Sequence, residues 1–527
     1  MGSYRKNNDF RAPKNTPDWL TDMSLLLWLT RLILPALLIA GLIVDQGISR
    51  FDEQKDESAL VETEVRVPGS ESLSSTWYCP TAHSRKLVDS GVAAEVELLV
   101  TNTATEPTRA SVHLISPTSA PQLLYLEVPG LSTRSLDVPT HTDDELVSAL
   151  VEAPTSGVVV TRRLRSGIGS DVATCSSIVA DEWYVISADT QADARDQLVI
   201  YNPLPTDAVV DLRFASEAEV GPYVSPELLG LVVPAASSIS VEIGEHVRRR
   251  DTVAATVQAR LGRVVVDHLQ TFTGSSGRLG FSAHLATATS STVWHHPAVR
   301  LGDDERAAVM VANPTDVVTT VDVTLVTRAG KVESVAINVG PYDVTRVDVR
   351  SNLEEDLPVG TLLAPSGLFG IIVESSDGVP VISGVEAASG PDGSPGRESP
   401  EADLILEDDE GSHSEPPTGR VSGLSIRSGV PNGSHGWVLT VPELSGEVIV
   451  GIQNASASTA TVIVSRYGQR DRYETQLGAY SAQQIRIGTG LTMEIRADVP
   501  VAVGAVHQQQ NGAGLNYVPG IKFSEEN

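Results

Sequence analysis

Clustered histidines are the first residues of this chain that could do chemistry. Five of the eleven histidines fall within 51 residues, and they are His246, His268, His284, His295 and His296. Several imidazoles close together can bind a transition metal such as zinc. His295 and His296, however, are adjacent, so on a strand they point to opposite faces and cannot share one metal without a bulge. We therefore predict no metal site and no cofactor.

Paired and clustered carboxylates could support two other kinds of chemistry. The pairs Asp143–Asp144 and Asp303–Asp304 could be glycosidase carboxylates, but neighbours in sequence say nothing about a separation across a cleft. The run EDDE at 407–410 could hold calcium, yet it lacks the alternating ligands and the central glycine of a calcium loop. We interpret these residues as surface turns and as a solvated charge run.

No motif of a known catalytic class is found in the sequence. A nucleophile elbow, a zinc-binding helix, a Walker loop and a dinucleotide-binding turn are all missing. A serine–histidine–aspartate triad assembled from separate units would leave no local signature, since geometry defines it. We predict a protein that is not an enzyme and assign no catalytic residue. A glycan-active hydrolase with its site between units is the alternative.

Length and composition indicate several folded domains. The chain has 527 residues, of which 41% are hydrophobic and 20% charged, as in proteins that fold in water. Acidic residues outnumber lysine and arginine by 67 to 38, which gives a formal net charge of −29. Such an excess of negative charge opposes binding to nucleic-acid phosphates. We therefore predict no nucleic-acid partner.

One span near the start predicts the compartment. Residues 25–44 read LLLWLTRLILPALLIAGLIV, which as a helix would be about 30 Å long and would cross a bilayer core. Four basic residues precede the span and only two lie in the 20 residues after it, so the tail should stay inside. We predict a cytoplasmic tail (1–23), a single-pass transmembrane signal anchor (24–44) and an acidic stalk (45–70), with the C-terminal ectodomain outside the cell membrane. A cleaved signal peptide is the alternative.

Only two cysteines occur, and both follow the apolar span. Outside the membrane, oxidation is permitted, so we predict one disulfide between Cys79 and Cys175. The bridge would close a loop of nearly 100 residues, for which chain entropy predicts a stabilisation of about 4–5 kcal/mol. Two unpaired, buried thiols are the alternative.

The tryptophans mark an internal repeat. Two lie near the apolar span, and the others are Trp77, Trp183, Trp294 and Trp437, with gaps of 106, 111 and 143 residues. Downstream of each tryptophan, a β-branched strand ends in asparagine, at Asn102, Asn202, Asn313 and Asn454. We predict that the tryptophans are core anchors rather than sugar-stacking platforms. We predict that the asparagines begin turns rather than form a shared ligand position.

The repeats predict the fold class. Each contains about seven short strands with apolar residues at alternate positions, which is typical of an antiparallel, immunoglobulin-like β-sandwich. We predict an all-β ectodomain of four tandem units, an acidic Pro/Gly/Ser linker before the last unit and a C-terminal tail. The predicted units are 71–180, 181–290, 291–390 and 431–519, with the linker at 391–430 and the tail at 520–527. We expect beads in a row rather than one closed assembly.

The whole arrangement can be compared with a known family. The N-terminal anchor, the start Trp77-Tyr78-Cys79-Pro80 and the acidic, arginine-over-lysine β units resemble an actinobacterial family of single-pass envelope proteins of uncharacterised function. Members are often encoded beside a membrane glycosyltransferase. The resemblance implies a non-enzymatic scaffold or binding protein of the bacterial cell envelope, accessory to envelope glycan assembly. Its partner would be an envelope protein, such as that glycosyltransferase, or cell-wall glycan. A cell-wall glycan-binding protein is the alternative, and the family supplies no functional residues.

Overall fold

The structure is a computed structural model in which residues 64–524 are described except for several segments. Those segments are 70–71, 85–94, 139–140, 142–143, 145, 167–168, 218, 274–278, 303–304, 351–360, 390–422, 445, 470–471 and 509–514. The predicted cytoplasmic tail, the predicted transmembrane helix and most of the predicted stalk therefore lie outside the described residues. Within the described part of the chain, no helix is long and apolar enough to cross a membrane.

The fold is all-β, and eight strands form the first unit. After β1 (Arg66–Val67) come β2 (Ser75–Ser84), β3 (Glu95–Asn102), β4 (Thr108–Ile115), β5 (Gln122–Val128), β6 (Ser132–Asp137), β7 (Leu146–Ala153), β8 (Val158–Ser166) and β9 (Gly169–Thr174). One antiparallel sheet has the order β2-β7-β4-β5, and the other has the order β6-β3-β8-β9. Apolar residues alternate with polar ones along the strands, so each sheet has one apolar face. The apolar faces of the two sheets pack together and enclose one core.

The second unit repeats this plan with small additions. Its strands are β10 (Glu182–Ala188), β11 (Ala194–Asn202), β12 (Ala208–Ser216), β13 (Glu219–Tyr223), β14 (Leu231–Val233), β15 (Ser237–Glu242), β16 (Val253–Leu261), β17 (Val265–Thr273) and β18 (Leu279–Leu285). Two short helical turns, Pro226–Leu228 and Ile243–His246, join strands. The sheet orders are β10-β16-β12-β13, with β14 beside β12, and β15-β11-β17-β18.

The third unit contains the long acidic segment. Its strands are β19 (Val293–Leu301), β20 (Glu305–Ala312), β21 (Thr319–Thr327), β22 (Gly330–Val339), β23 (Val344–Arg350), β24 (Leu362–Leu363), β25 (Gly367–Ser375), β26 (Ile382–Ser389) and β27 (Gly423–Ser428). Strand β27 pairs with β26, so the predicted linker at 391–430 extends too far. The alternating, buried Leu424 and Ile426 make residues 423–428 the last strand of this unit. The acidic segment is therefore an insertion within the unit.

The fourth unit shares one long strand between its two sheets. Its strands are β28 (Val430–Pro431), β29 (Ser434–Val441), β30 (Glu447–Asn454), β31 (Ala460–Arg466), β32 (Arg472–Leu477), β33 (Ala482–Ile487), β34 (Leu491–Gln508), β35 (Leu515–Pro519) and β36 (Ile521–Phe523). The first half of β34 pairs with β29 and β31, and the second half pairs with β30 and β35. Strand β28 pairs with β19 of the third unit. The predicted tail at 520–527 thus includes a strand.

The four units close on one another. We call the strand that carries the tryptophan of each unit its leading strand (β2, β10, β19, β29). The four strands that meet between units, β9, β18, β27 and β35, are called the axial strands. Each axial strand packs against the axial strands of the units before and after it, including the pair formed by the fourth and first units. The expectation of beads in a row is therefore wrong, because contacts between axial strands join all four units around one centre.

Candidate functional site

The repeated tryptophans lie in the unit cores. All four are at most 1% exposed, and each indole Nε1 donates a hydrogen bond of 2.7–2.9 Å to a backbone carbonyl across its unit. For Trp77, Trp183, Trp294 and Trp437 the acceptors are Val158, Val264, Val381 and Val501, respectively. A buried indole with a satisfied N–H anchors a core, and its faces are not available for sugar stacking.

The repeated asparagines lie in turns. In each, Nδ2 donates to the carbonyl four residues later, and Oδ1 accepts from the backbone N–H two residues later. Asn102, for example, bonds Glu106 O at 2.7 Å and Ala104 N at 3.0 Å. Because both ends of each amide serve the local turn, Asn102, Asn202, Asn313 and Asn454 offer no shared ligand position.

The predicted disulfide is confirmed. Cys79 and Cys175 are bonded, and their Cα atoms lie 4.6 Å apart. Cys79 belongs to the leading strand of the first unit, and Cys175 directly follows its axial strand. The bridge therefore ties the start of the first unit to its end.

The candidate metal ligands are not brought together. His268 and His284 are neighbours on β17 and β18, with ring centroids 4.9 Å apart, whereas His295 and His296 lie on β19 and His246 lies in a helical turn. Within the described residues no group of three or more histidine, cysteine and acidic side chains could hold a metal. Burial lowers the pKa of His295 to about 4 and that of His296 to about 3, so both rings are neutral at pH 7.

The candidate carboxylates also remain apart. Asp144 accepts hydrogen bonds from Thr118 and Ser119 on the surface. Asp143, Asp303, Asp304 and the acidic run 407–410 lie outside the described residues.

Neighbouring units join through bulges in their leading strands. In each of the first three units, one or two extra residues interrupt the pairing soon after the tryptophan, between Cys79 and His83, Val185 and Ala188, and His296 and Val299. A bulge bends its strand and pushes the extra residues out of the sheet. Here they enter the next unit. The three junctions formed in this way are called the bulged junctions below.

Each bulged junction has its own contacts. At the first, Thr81 N donates to Asp267 Oδ2 at 2.9 Å, and Asp267 also accepts from the fully buried Arg162. At the second, Ser187 Oγ donates to Glu386 Oε2 at 2.8 Å.

Glycines receive the bulges at the second and third junctions. A Cβ added to Gly384 would overlap Ile186 of the second bulge. A Cβ added to Gly451 would overlap the backbone of Pro297 in the third bulge. The close approach of the two units therefore requires glycine at both positions.

A buried polar cluster joins the four axial strands. Asp171 of the first unit pairs with Arg427 of the third, and it accepts hydrogen bonds from Ser282 Oγ at 3.0 Å and Ala283 N at 2.8 Å in the second. Arg427 also donates to Tyr517 O of the fourth unit at 3.3 Å. Burial raises the pKa of Asp171, while Arg427 and the hydrogen bonds oppose this shift. The cluster therefore links all four units through their axial strands.

The junction between the fourth and first units is closed by the two ends of the described chain. Strand β1 pairs in parallel with β36, which in turn pairs with β29. Lys522 donates to Glu64 Oε2 at 2.9 Å and to Pro431 O at 2.7 Å. Val67 and Ile521 enter the core of the first unit. This closing junction thus replaces a covalent linker with strand pairing.

The closing junction contains a cavity of about 500 Å³. From Trp437 to Val441 the leading strand β29 pairs with β34 without interruption, so no bulge enters the first unit here. The first unit contributes Glu97, Ser132, Thr133, Ser135 and Arg163 to the cavity wall, and the fourth contributes Thr440, Glu443, Arg466, Tyr467 and Thr492. This junction cavity is our candidate functional site.

Hydroxyl groups and charged groups dominate the wall of the junction cavity. Thr133 and Thr492 share a hydrogen bond of 3.0 Å across it, and Thr101 and Thr440 share one of 3.2 Å. Arg163 pairs with Glu97 and also donates to the backbone carbonyl of Glu443. Such a wall offers donors and acceptors to a polar ligand.

Sequence reasoning did not identify any residue of this cavity wall. The sequence holds only a partial signal. Proline stands three residues after the tryptophan at Pro80 and Pro297, in two of the bulges, whereas Thr440 has this position in the fourth unit. This signal is incomplete, because Ile186 has the same position in the second unit, whose leading strand is also bulged.

Comparison with known proteins adds little on function. Residues 152–395 match the Family of unknown function (DUF5719), a match that runs from the end of β7 to six residues past the third unit's β26. No curated protein matches the chain. A crystal structure of a tetra-tandem repeat in the extending region of a large adhesion protein has 13% identity over 81% of this chain and 95% of that chain. Its TM-score is 0.10, so the two structures do not superpose and no role is transferred.

Proposed function

We propose that this protein is a non-enzymatic scaffold or binding protein of the bacterial cell envelope. A transmembrane helix at residues 24–44 holds it in the cell membrane, and the four β units lie outside. The junction cavity carries the proposal, because it is a polar recess of about 500 Å³ between two units. That volume falls within the range of roughly 300–1,000 Å³ typical of ligand pockets.

The assembly around the cavity supports a scaffold role. The disulfide, the bulged junctions and the buried pair of Asp171 with Arg427 all restrain the units relative to one another. A restrained framework holds a binding surface in one geometry, which lowers the entropy cost of binding. The disulfide also favours an oxidising compartment outside the cytoplasm.

An envelope protein, such as a membrane glycosyltransferase, is the partner we propose first. Photo-crosslinking of the full-length protein in its native membrane tests this. A photoreactive amino acid in place of Gln469, which lines the cavity, should give a discrete protein adduct. The matched control replaces Val332, which is 60% exposed on the third unit's outer strand β22 and does not line the cavity.

A blocking variant sharpens this test. Ser135→Trp places a large side chain in the cavity and should abolish the adduct at position 469, whereas Val332→Trp should leave it unchanged. Equal crosslinking at positions 469 and 332, or an adduct that survives Ser135→Trp, would contradict the proposal.

Our second candidate function involves cell-wall glycan. The protein would either bind this glycan or hydrolyse it. Glu97 and Glu443 favour it, because they come from different units and line the same cavity. Glycosidases use two carboxyl groups on either side of the scissile bond. Release of reducing ends from cell-wall glycan, lost in both Glu97→Gln and Glu443→Gln, would establish hydrolysis. Saturable glycan binding without such release would establish a glycan-binding protein.

An immunoglobulin-like fold of the four units is part of the same proposal. Each unit packs two antiparallel sheets of four or five main strands around an anchoring tryptophan, as sandwiches of that kind do.

A further inference from the structure

The first unit's wall of the junction cavity uses strand positions that receive a bulge in other units. Positions in different units can be matched by counting back from the repeated asparagine and then across the pairing of the two central strands. Three residues of the wall have counterparts in the fourth unit, which are Ile449 for Glu97, Gly451 for Leu99 and Val506 for Arg163.

These counterparts in the fourth unit contact the third bulge. Ala298 of that bulge packs in one buried cluster with Ile449 and Val506. A Cβ added to Gly451 would overlap the backbone of Pro297, the other residue of the bulge. The positions that hold a bulge in the fourth unit therefore line a cavity in the first.

The second bulged junction gives the same correspondence. Ser187 of its bulge donates a hydrogen bond to Glu386, which pairs with Ala308. In the first unit, Arg163 pairs with Glu97. Ala308 and Glu97 each lie five residues before the repeated asparagine of their units, so Glu386 and Arg163 have the same position. The junction cavity thus lies where two other units bind bulge residues.

The bulges show what kind of segment these positions accept. In each bulge the residues between the interrupted pairs are few and uncharged, and in two of them a proline comes first and a small residue follows. They are Pro80-Thr81-Ala82, Ile186-Ser187 and Pro297-Ala298. An uncharged segment also suits the junction cavity, because Glu97 and Arg163 in its wall already pair with each other.

The first bulge is the closest template for the closing junction. Leu99 carries a side chain where the third bulge meets Gly451, so a segment cannot approach as closely as Pro297 does. The second unit has a side chain at this position too, that of Val199, and it receives the first bulge. There Thr81 N donates to the residue paired with Val199.

We propose that the junction cavity binds a short, uncharged peptide segment of the partner, a proline followed by small residues, which takes the place that a bulge has at the other junctions. This inference rests on the proposed function, in which the partner is an envelope protein. Hydroxyl groups of Ser132, Thr133 and Ser135 can bond peptide N–H and carbonyl groups. Three or four residues are about the size of the ligands found in pockets of roughly 300–1,000 Å³.

A synthetic peptide of the first bulge tests the inference. It has the sequence of residues 78–84 with Cys79→Ser, which prevents disulfide exchange, and it carries blocked ends and a fluorophore. Its fluorescence anisotropy should rise and saturate on titration with the full-length protein, with a dissociation constant below about 0.1 mM. A peptide with the same residues in scrambled order is the control and should not bind.

Two variants place the bound peptide in the junction cavity. Ser135→Trp fills the cavity and should weaken binding at least about tenfold, whereas Val332→Trp should leave the affinity unchanged. Replacement of Thr440 by Pro-Thr-Ala installs a bulge in β29 and should abolish binding, because the protein's own strand then fills the cavity. If this second variant fails to fold, Ser135→Trp decides, since Ser135 is exposed and its replacement leaves the core unchanged.

Competition with crosslinking separates this inference from the proposed function. Excess peptide should suppress the protein adduct at position 469, and the scrambled peptide should not. An adduct that excess peptide leaves unchanged overturns the inference and keeps the envelope partner. Peptide binding without any adduct supports the inference and contradicts the proposed function. No saturable binding, full affinity in Ser135→Trp, or binding of cell-wall glycan in place of the peptide also overturns the inference.

Discussion

The three bulged junctions and the closing junction use the same elements and differ in how they are filled. In all four, the leading strand of one unit faces the next unit, and a tryptophan anchors that strand. At a bulged junction, extra residues such as Pro297 enter the next unit and meet a glycine such as Gly451. At the closing junction β29 has no such insertion, and a cavity of about 500 Å³ remains.

This difference teaches that one or two residues decide whether a junction is packed or open. Strand β29 pairs with β34 without interruption from Trp437 to Val441, and hydroxyl pairs such as Thr101 with Thr440 still cross the junction. Extra residues of a bulge fill the other three junctions. The closing junction lacks these residues, so its space stays empty. A repeated architecture can therefore gain a recess at one position while it keeps close packing at the rest.

The largest expected effect comes from breaking the buried pair at the first bulged junction. Arg162→Met leaves the fully buried Asp267 without its cation, which should lower the free energy of unfolding by about 3–5 kcal/mol. Urea unfolding measures the change. Arg260→Met is the control, because its partner Asp211 is nearly buried but Arg260 is 56% exposed, and we expect at most about 1 kcal/mol. Equal losses in the two variants would show that the junction pair has no special weight.

The closing junction should respond to the loss of Lys522. Lys522→Met removes its hydrogen bonds to Glu64 and Pro431 and should destabilise the protein by about 1.5–3 kcal/mol. Hydrogen exchange should accelerate at β1 and β36 and remain slow at the bulged junctions. A uniform acceleration would contradict the view that strand pairing closes this junction locally.

The glycine that receives the third bulge should not tolerate a methyl group. Gly451→Ala forces the third and fourth units apart and should cost about 1–3 kcal/mol in urea unfolding. Gly244→Ala is the matched control, since no atom lies within 4 Å of its added Cβ. That control should change stability by less than about 0.5 kcal/mol. An unaffected Gly451→Ala protein would mean that the bulge does not fill the junction tightly.

The effect that is smallest at neutral pH is a pH dependence in the leading strand of the third unit. Burial and two nearby lysines lower the pKa of His295 to about 4, below the unfolded value of about 6.5. Between pH 6.5 and 4 the unfolded chain binds a proton at His295 and the folded protein does not. The free energy of unfolding is therefore highest above pH 6.5 and decreases as the pH falls towards 4. Relative to His295→Gln, the wild type should lose about 1.4 kcal/mol per pH unit in this window.

Urea midpoints at pH 7, 6 and 5 measure this slope. His435→Gln, which changes an exposed histidine of the fourth unit, is the control and should follow the wild type. Parallel curves for the wild type and His295→Gln would show that His295 is not held neutral by burial.

The local features were predictable from the sequence, and the long-range contacts were not. Strand alternation, Trp183 in a core and Asn202 in a turn depend on neighbours in the same repeat. The contact of Val67 with the end of the chain joins residues more than 450 positions apart, and no periodicity encodes it. The strand at Gly423–Ser428 was missed because a long acidic insertion separates it from its partner. The cavity depends on a missing bulge, which only the pairing register reveals.

The parallel pairing of β1 with β36 brings the two ends of the described fold to one junction. The order in which the units are translated is thus separate from the order in which they pack. A circularly permuted gene that starts with the second unit, and joins the fourth to the first by a short peptide, would encode the same set of neighbours. In that permutant the break in the chain would fall at a bulged junction, while the open recess would be spanned by a covalent connection.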